Sequence, residues 1–163
     1  MKRFISLICL LTFLANALPV YSLTVKENLE LTLTPVNVTS TEYISTYDIP
    51  AVIKDDVFYK GVKVFKSGDK AILKISDYEE NGAWGKGGKI LLTGGYAYDS
   101  KGNKVKVSFI RNIKGKDKRW VIGVCCAGIL LWPLLLFGLV KGKDAKLTPM
   151  HEINAITSNS FEF

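Results

Sequence analysis

The stretch KVKVSF, residues 104–109, sets Val105, Val107 and Phe109 on one parity and Lys104, Lys106 and Ser108 on the other. Successive side chains of a β-strand point to opposite faces, so this stretch offers one face to a core and one to water. The same rhythm recurs upstream. Ala71, Leu73 and Ile75 share a face while Lys74 and Ser76 take the other, and Leu29, Leu31 and Leu33 alternate with Glu30 and Thr32. Val62 and Val64 alternate with Lys63, and Phe65 extends the apolar set. Turn residues separate these runs at Ser67-Gly68-Asp69, Asn81-Gly82 and Asp99-Ser100-Lys101-Gly102-Asn103. Short strands spaced in this way predict an all-β chain, a small antiparallel sandwich or barrel.

Between Val36 and Asp56 the rhythm weakens. Pro35 and Pro50 each lack a backbone donor, so this region is expected to hold short edge strands and loops. Tyr96 and Tyr98 alternate with Ala97 and are expected on the core face. Gly94-Gly95 marks a bulge or a close backbone approach. In the tail, HEINAIT from His151 to Thr157 has the pattern of a last strand, with Ile153 and Ala155 on one face. Such a strand needs a partner sheet, which would put the tail on the same side of any membrane as the β-domain.

Two apolar runs lie outside this pattern. At the start, Met1-Lys2-Arg3 is a short basic region followed by FISLICLLTFLANALPVYS, the layout of a secretory signal peptide over residues 1–22, with cleavage after Ala17 or Ser22. Loss of Lys2 and Arg3 would take the net charge from +7 to +5. Near the other end, VIGVCCAGILLWPLLLFGLV runs from Val121 to Val140 without a charge. As a straight helix it would reach about 30 Å, the thickness of a bilayer core. Pro133 divides it, so a single span, a returning membrane insert and a buried soluble segment all stay open. The domain organisation expected is therefore a signal peptide (1–22), a β-domain (23–119), an apolar membrane-associated segment read as helical (120–140), and a short tail (141–163) that supplies the final strand.

The flanks of the second run are basic. Lys114, Lys116, Lys118 and Arg119 precede it, and Lys141, Lys143 and Lys146 follow it. Basic residues beside an apolar segment favour anionic headgroups by about 1 kcal/mol each near the surface. The residues expected to contact membrane are Val121, Ile122, Val124, Ile129, Leu130, Leu131, Trp132, Leu134, Leu135, Leu136 and Phe137.

Motifs for chemistry fail on inspection. In NGAWGKGGKILLTGG, Ala83 stands where a phosphate loop needs its first glycine and Ile90 follows Lys89 where Ser or Thr is required. The stretch reads instead as a flexible hairpin arm. His151 is the only histidine, and Cys125 and Cys126 are adjacent, which suits neither a disulfide scaffold nor a metal set. Asp55-Asp56 and Glu79-Glu80 flank turns rather than a cleft. No catalytic residue, metal or cofactor is expected, and no nucleic-acid partner.

From Gly61 to Phe109, GVKVFKSGDKAILKISDYEENGAWGKGGKILLTGGYAYDSKGNKVKVSF resembles a recurring β-domain of uncharacterised bacterial exported envelope proteins. A strand, a Gly-Asp turn, a Gly-rich arm, two further strands, an apolar insert, KGKDA and a last strand follow one another. The layout is similar to the C-terminal β-barrel of the type IV secretion outer-membrane-complex scaffold, which carries an apolar insert before its final strand. Here the insert has the length of one span rather than two helices, and TPMHE stands where a glycine turn is expected. The resemblance implies a layout and no activity. Together these readings predict a non-catalytic, exported, membrane-associated protein of the cell envelope. Its partners would be membrane lipid and another envelope protein. The alternative is a soluble exported β-barrel module that binds a lipid or small hydrophobic ligand.

Overall fold

The computed structural model describes residues 23–25, 28–118 and 141–163. The expected signal peptide, Arg119, the 120–140 segment and its membrane-contacting residues lie outside the described residues. The strands in chain order are β1 (Thr24–Val25), β2 (Glu30–Pro35), β3 (Thr39–Ser40), β4 (Asp48–Ile53), β5 (Val57–Tyr59), β6 (Val62–Phe65), β7 (Lys70–Glu79), β8 (Lys89–Tyr98), β9 (Lys104–Lys114), β10 (Lys146–Leu147), β11 (Ile153–Thr157) and β12 (Phe161–Glu162). Six of them close into an antiparallel barrel in the order β11-β2-β4-β7-β8-β9. Closure leaves no sheet edge within that ring, which decides between the barrel and the sandwich.

The period-two residues line the interior as expected. Leu31 and Leu33, Ala71, Leu73 and Ile75, and Val105, Val107 and Phe109 are all buried. A barrel this small is filled by side chains, and here Leu33, Ile49, Leu73, Leu92, Val107 and Ile153 fill it. Truncating any one of these to alanine is expected to cost about 2–5 kcal/mol.

Two expectations are corrected. Asp48–Ile53 is a full barrel strand bonded on both sides, although it contains Pro50. Pro50 is tolerated because its carbonyl accepts from Val36 N (3.0 Å) just past the end of β2, where its missing donor interrupts no ladder. Tyr96 and Tyr98 lie on the outer face, and the wholly buried residue between them is Ala97. The cause is a register shift between Thr93 and Gly95, with Gly94 at φ +79. Ile90 and Leu92 point inward before the bulge, and Gly95 and Ala97 after it, so the inward parity changes by one. Gly95 is also a close approach, since a Cβ there would stand 2.0 Å from Ile72 O. A smaller difference is Val62, which is exposed while Val64 and Phe65 are buried.

The tail completes the ring. β11 pairs with β2 through Ile153–Ile156 and with β9 through Ile156 and Thr157. Thr157 is wholly buried at this seam, exchanges backbone bonds with Asn28 and Leu29, and accepts from Leu29 N through Oγ1 at 3.0 Å. TPMHE turns without glycine: Pro149 follows Thr148, and His151 N donates to Thr148 O at 2.9 Å. Small sheets close the two ends. At one end Val25 of β1 and Val64 and Phe65 of the β5–β6 hairpin are buried, with Ser100 N donating to Val64 O and Phe65 packing on Phe161, and Leu147 of β10 with Ala145 is buried where β9 finishes.

Candidate functional site

The chain leaves the described barrel after Lys118 and re-enters it at Lys141, and both points lie at one end. That end is formed by Glu79, Lys89 and Lys114, the paired limits of β7, β8 and β9. Outgoing and returning segments are bonded to each other, with Lys143 N donating to Lys116 O at 3.1 Å. Both are bonded to the 81–88 loop. Gly115 N donates to Gly88 O (2.7 Å), Lys118 N to Gly85 O (2.8 Å), Gly88 N to Lys143 O (3.0 Å) and Asn81 Nδ2 to Gly142 O (3.1 Å). The stretch that reads as a flexible arm is therefore the middle layer of a three-pass junction.

That junction requires glycine where backbones meet. A Cβ on Gly115 would fall 2.0 Å from Lys143 O, and one on Gly142 would fall 2.3 Å from Lys86 O. Both distances are inside van der Waals contact with backbone atoms that no side-chain rotation can clear. The same four letters, KGKD, occupy Lys114–Asp117 and Lys141–Asp144, so each root of the segment carries one copy. The two copies work alike. The glycine packs against backbone, the aspartate accepts a tie to the barrel, and the lysines stay in solvent. Asp117 Oδ1 accepts from Gly87 N (2.6 Å), and Asp144 Oδ1 accepts from Thr41 Oγ1 (3.1 Å). This repeat was available in the sequence, but its meaning depends on the two copies meeting in space.

Lys114, Lys116, Lys118, Lys141, Lys143 and Lys146 are thereby gathered at one end, where Asp117 and Asp144 are tied by hydrogen bonds to Gly87 and Thr41. Lys114, Lys116, Lys143 and Lys146 line a single open groove there. None of the six takes part in an ion pair among the described residues. Beside them Lys86 pairs with Glu79 at 2.9 Å, and its hydrogen bond holds the Glu79 carboxyl below the usual carboxylate range. Such a cluster produces a local positive potential that attracts anions.

Other candidates are dispersed. His151 Nδ1 bonds Thr148 Oγ1 at 2.9 Å and holds its own turn. Asp56 pairs with Lys63 and accepts from Ser67 N, far along the fold from Glu79. Among the described residues no group of three His, Cys, Asp or Glu could hold a metal ion, and no helix is long and apolar enough to cross a membrane. A broad open groove of about 1070 Å³ runs past Val36, Pro50, Ile72 and Tyr98 at the opposite end of β7, with Asp69, Lys70, Ser100 and Lys101 also along it. Tyr96 lies on the outer wall with Lys104 Nζ 3.9 Å and Lys74 Nζ 5.2 Å from its ring centre.

Comparison with family models, with curated proteins and with solved structures gives no match.

Proposed function

We propose that the protein is a non-catalytic, exported component of the cell envelope, with its barrel held against a membrane by residues 120–140. The observation that carries this reading is the bond between Lys116 and Lys143. A single span would separate its two ends by about 30 Å. Here the roots of a twenty-residue uncharged run are tied together, and the tail beyond it closes the barrel through β11. These facts favour a returning insert over a crossing. The domain and the tail then lie on one side of the membrane.

The lysines support the same reading. They ring the place where the apolar run departs, which is where headgroups would stand if the run enters lipid. Four exposed lysines, Lys114, Lys116, Lys141 and Lys143, would together favour an anionic surface by about 4 kcal/mol at low salt. The alternative of a soluble module enclosing a hydrophobic ligand is less well supported, because side chains already occupy the barrel interior.

The adjacency of the roots makes a clean test. Residues 120–139 can be replaced by a short Gly/Ser linker without straining the junction. The parent chain should stay with membranes through a carbonate wash and the linker variant should be released. Equal retention of both would overturn the proposal.

A further inference from the structure

Trp84 sits in the 81–86 loop with φ +57, a left-handed conformation that a bulky residue rarely adopts, and its side chain is 52% exposed. A large apolar ring is thus held in solvent on a strained backbone, at a cost of about 1–3 kcal/mol. Glycine would meet the positive φ without strain, as the neighbouring Gly85 does at φ +71.

The loop's position is tightly specified. Gly82 N donates to Lys86 O (2.9 Å), which closes the loop on itself. Gly85 O, adjacent to Trp84, accepts from Lys118 N on the outgoing root, and Gly82 O accepts from Gly142 N (3.4 Å) on the returning root. Trp84 is therefore carried between the two KGKD segments, beside the lysine cluster and at the point where the apolar run leaves the barrel. Tryptophan combines an apolar ring with one N–H donor, and it collects at the boundary between headgroups and acyl chains. Lysines around it suit anionic phosphates.

We propose that Trp84 is a second membrane anchor, seated in the headgroup boundary of an anionic bilayer while the KGKD lysines meet the phosphates. This rests on the membrane reading above and adds to it a residue outside the apolar run.

The test uses the full chain with Trp120→Phe and Trp132→Phe, which leaves Trp84 as the only tryptophan. It is mixed with vesicles of phosphatidylcholine and phosphatidylglycerol carrying bromines at graded acyl depths. The expected result is a blue-shifted emission, quenched most by bromines nearest the headgroups. In the same background Trp84→Gly should lower the vesicle partition constant about tenfold, the effect of losing half an aromatic side chain's burial. It should leave the urea midpoint unchanged or higher, because strain is relieved. A purely structural role predicts the reverse, a lower midpoint with partition unchanged, and would overturn the proposal. Cosedimentation without quenching also overturns it, assigning Trp84 to a protein contact or to solvent while leaving the membrane reading intact. No cosedimentation of the parent chain with any vesicle overturns both.

Discussion

Replacing Gly115 by alanine places a methyl group 2.0 Å from Lys143 O, 2.7 Å from Asp144 C and 2.9 Å from Ala145 N. All three neighbours are backbone, so no rotamer change relieves the clash. Even to reach 3.0 Å from the carbonyl oxygen, the outgoing and returning roots must move apart by about 1 Å. That movement breaks the bond from Lys143 N to Lys116 O and strains the one from Gly115 N to Gly88 O. Overpacking costs about 1–3 kcal/mol and each lost bond about 1 kcal/mol, so the substitution should cost about 3 kcal/mol. With a urea m-value of about 2 kcal/mol/M for a chain of this size, the midpoint should fall by about 1.5 M. Gly82→Ala in the same loop is the control. Its Cβ would meet only the Lys86 side chain, at 3.4 Å. Alanine there should be neutral, or stabilising by about 0.4–1 kcal/mol through the unfolded chain. The assay is equilibrium urea unfolding of the full chain in mild non-ionic detergent. Equal midpoints for the two variants would refute the three-pass junction.

Further outcomes are expected elsewhere. Thr157→Val leaves the Leu29 N–H without its side-chain acceptor at the closing seam and should cost about 1–3 kcal/mol by urea unfolding. Changing Lys114, Lys116, Lys141 and Lys143 together to glutamine should lower partition to anionic vesicles by about two to three orders of magnitude at low salt, and leave binding to neutral vesicles unchanged. At Asp56, the hydrogen bond from Lys63 and then the one from Ser67 N hold the carboxyl below its usual range. A lowered folded pKa stabilises above the unfolded value of about 3.9, and that contribution is lost as pH falls through the folded pKa. The protection factor of the Ser67 amide should therefore persist at neutral pH and fall only in acid below that value, and Asp56→Asn should lower it at neutral pH. An unchanged Ser67 protection factor in the variant would show that the carboxylate does not hold the hairpin.

The readable part of the fold is the part set by side-chain parity. β2, β7 and β9 have one wet and one dry face along their buried stretches, so Leu31, Leu73 and Val107 declared themselves. Parity fails as a guide where one residue is inserted, and the bulge at Gly94 reversed the faces of Tyr96 and Ala97. β6 was legible from Val62 and Val64, but its pairing with β5 was not, because the two-residue turn is Lys60-Gly61, with Lys60 at φ 51 in place of the Asn or Asp that announces such turns. β4 was obscured by Pro50, which is harmless only because β2 stops beside it. At the candidate site the lysines were legible from their position beside the apolar run. The glycines suggest flexibility from sequence alone, because a close backbone contact between residues as distant as 115 and 143 leaves no local trace. Trp84 gave no periodic signal at all, and only its backbone angle and its neighbours single it out.

In the proposed arrangement the apolar run leaves and returns on one side, so that the barrel and the tail share a compartment. Single cysteines at Ser45, in the loop that leads into β4 of the barrel, and at Ser160 in the tail, in a chain with Cys9, Cys125 and Cys126 changed to alanine, can be labelled with a membrane-impermeant maleimide in sealed vesicles. Both positions should be labelled from the same face and protected from the other. Labelling of Ser45→Cys from one face and Ser160→Cys only from the opposite face would contradict it.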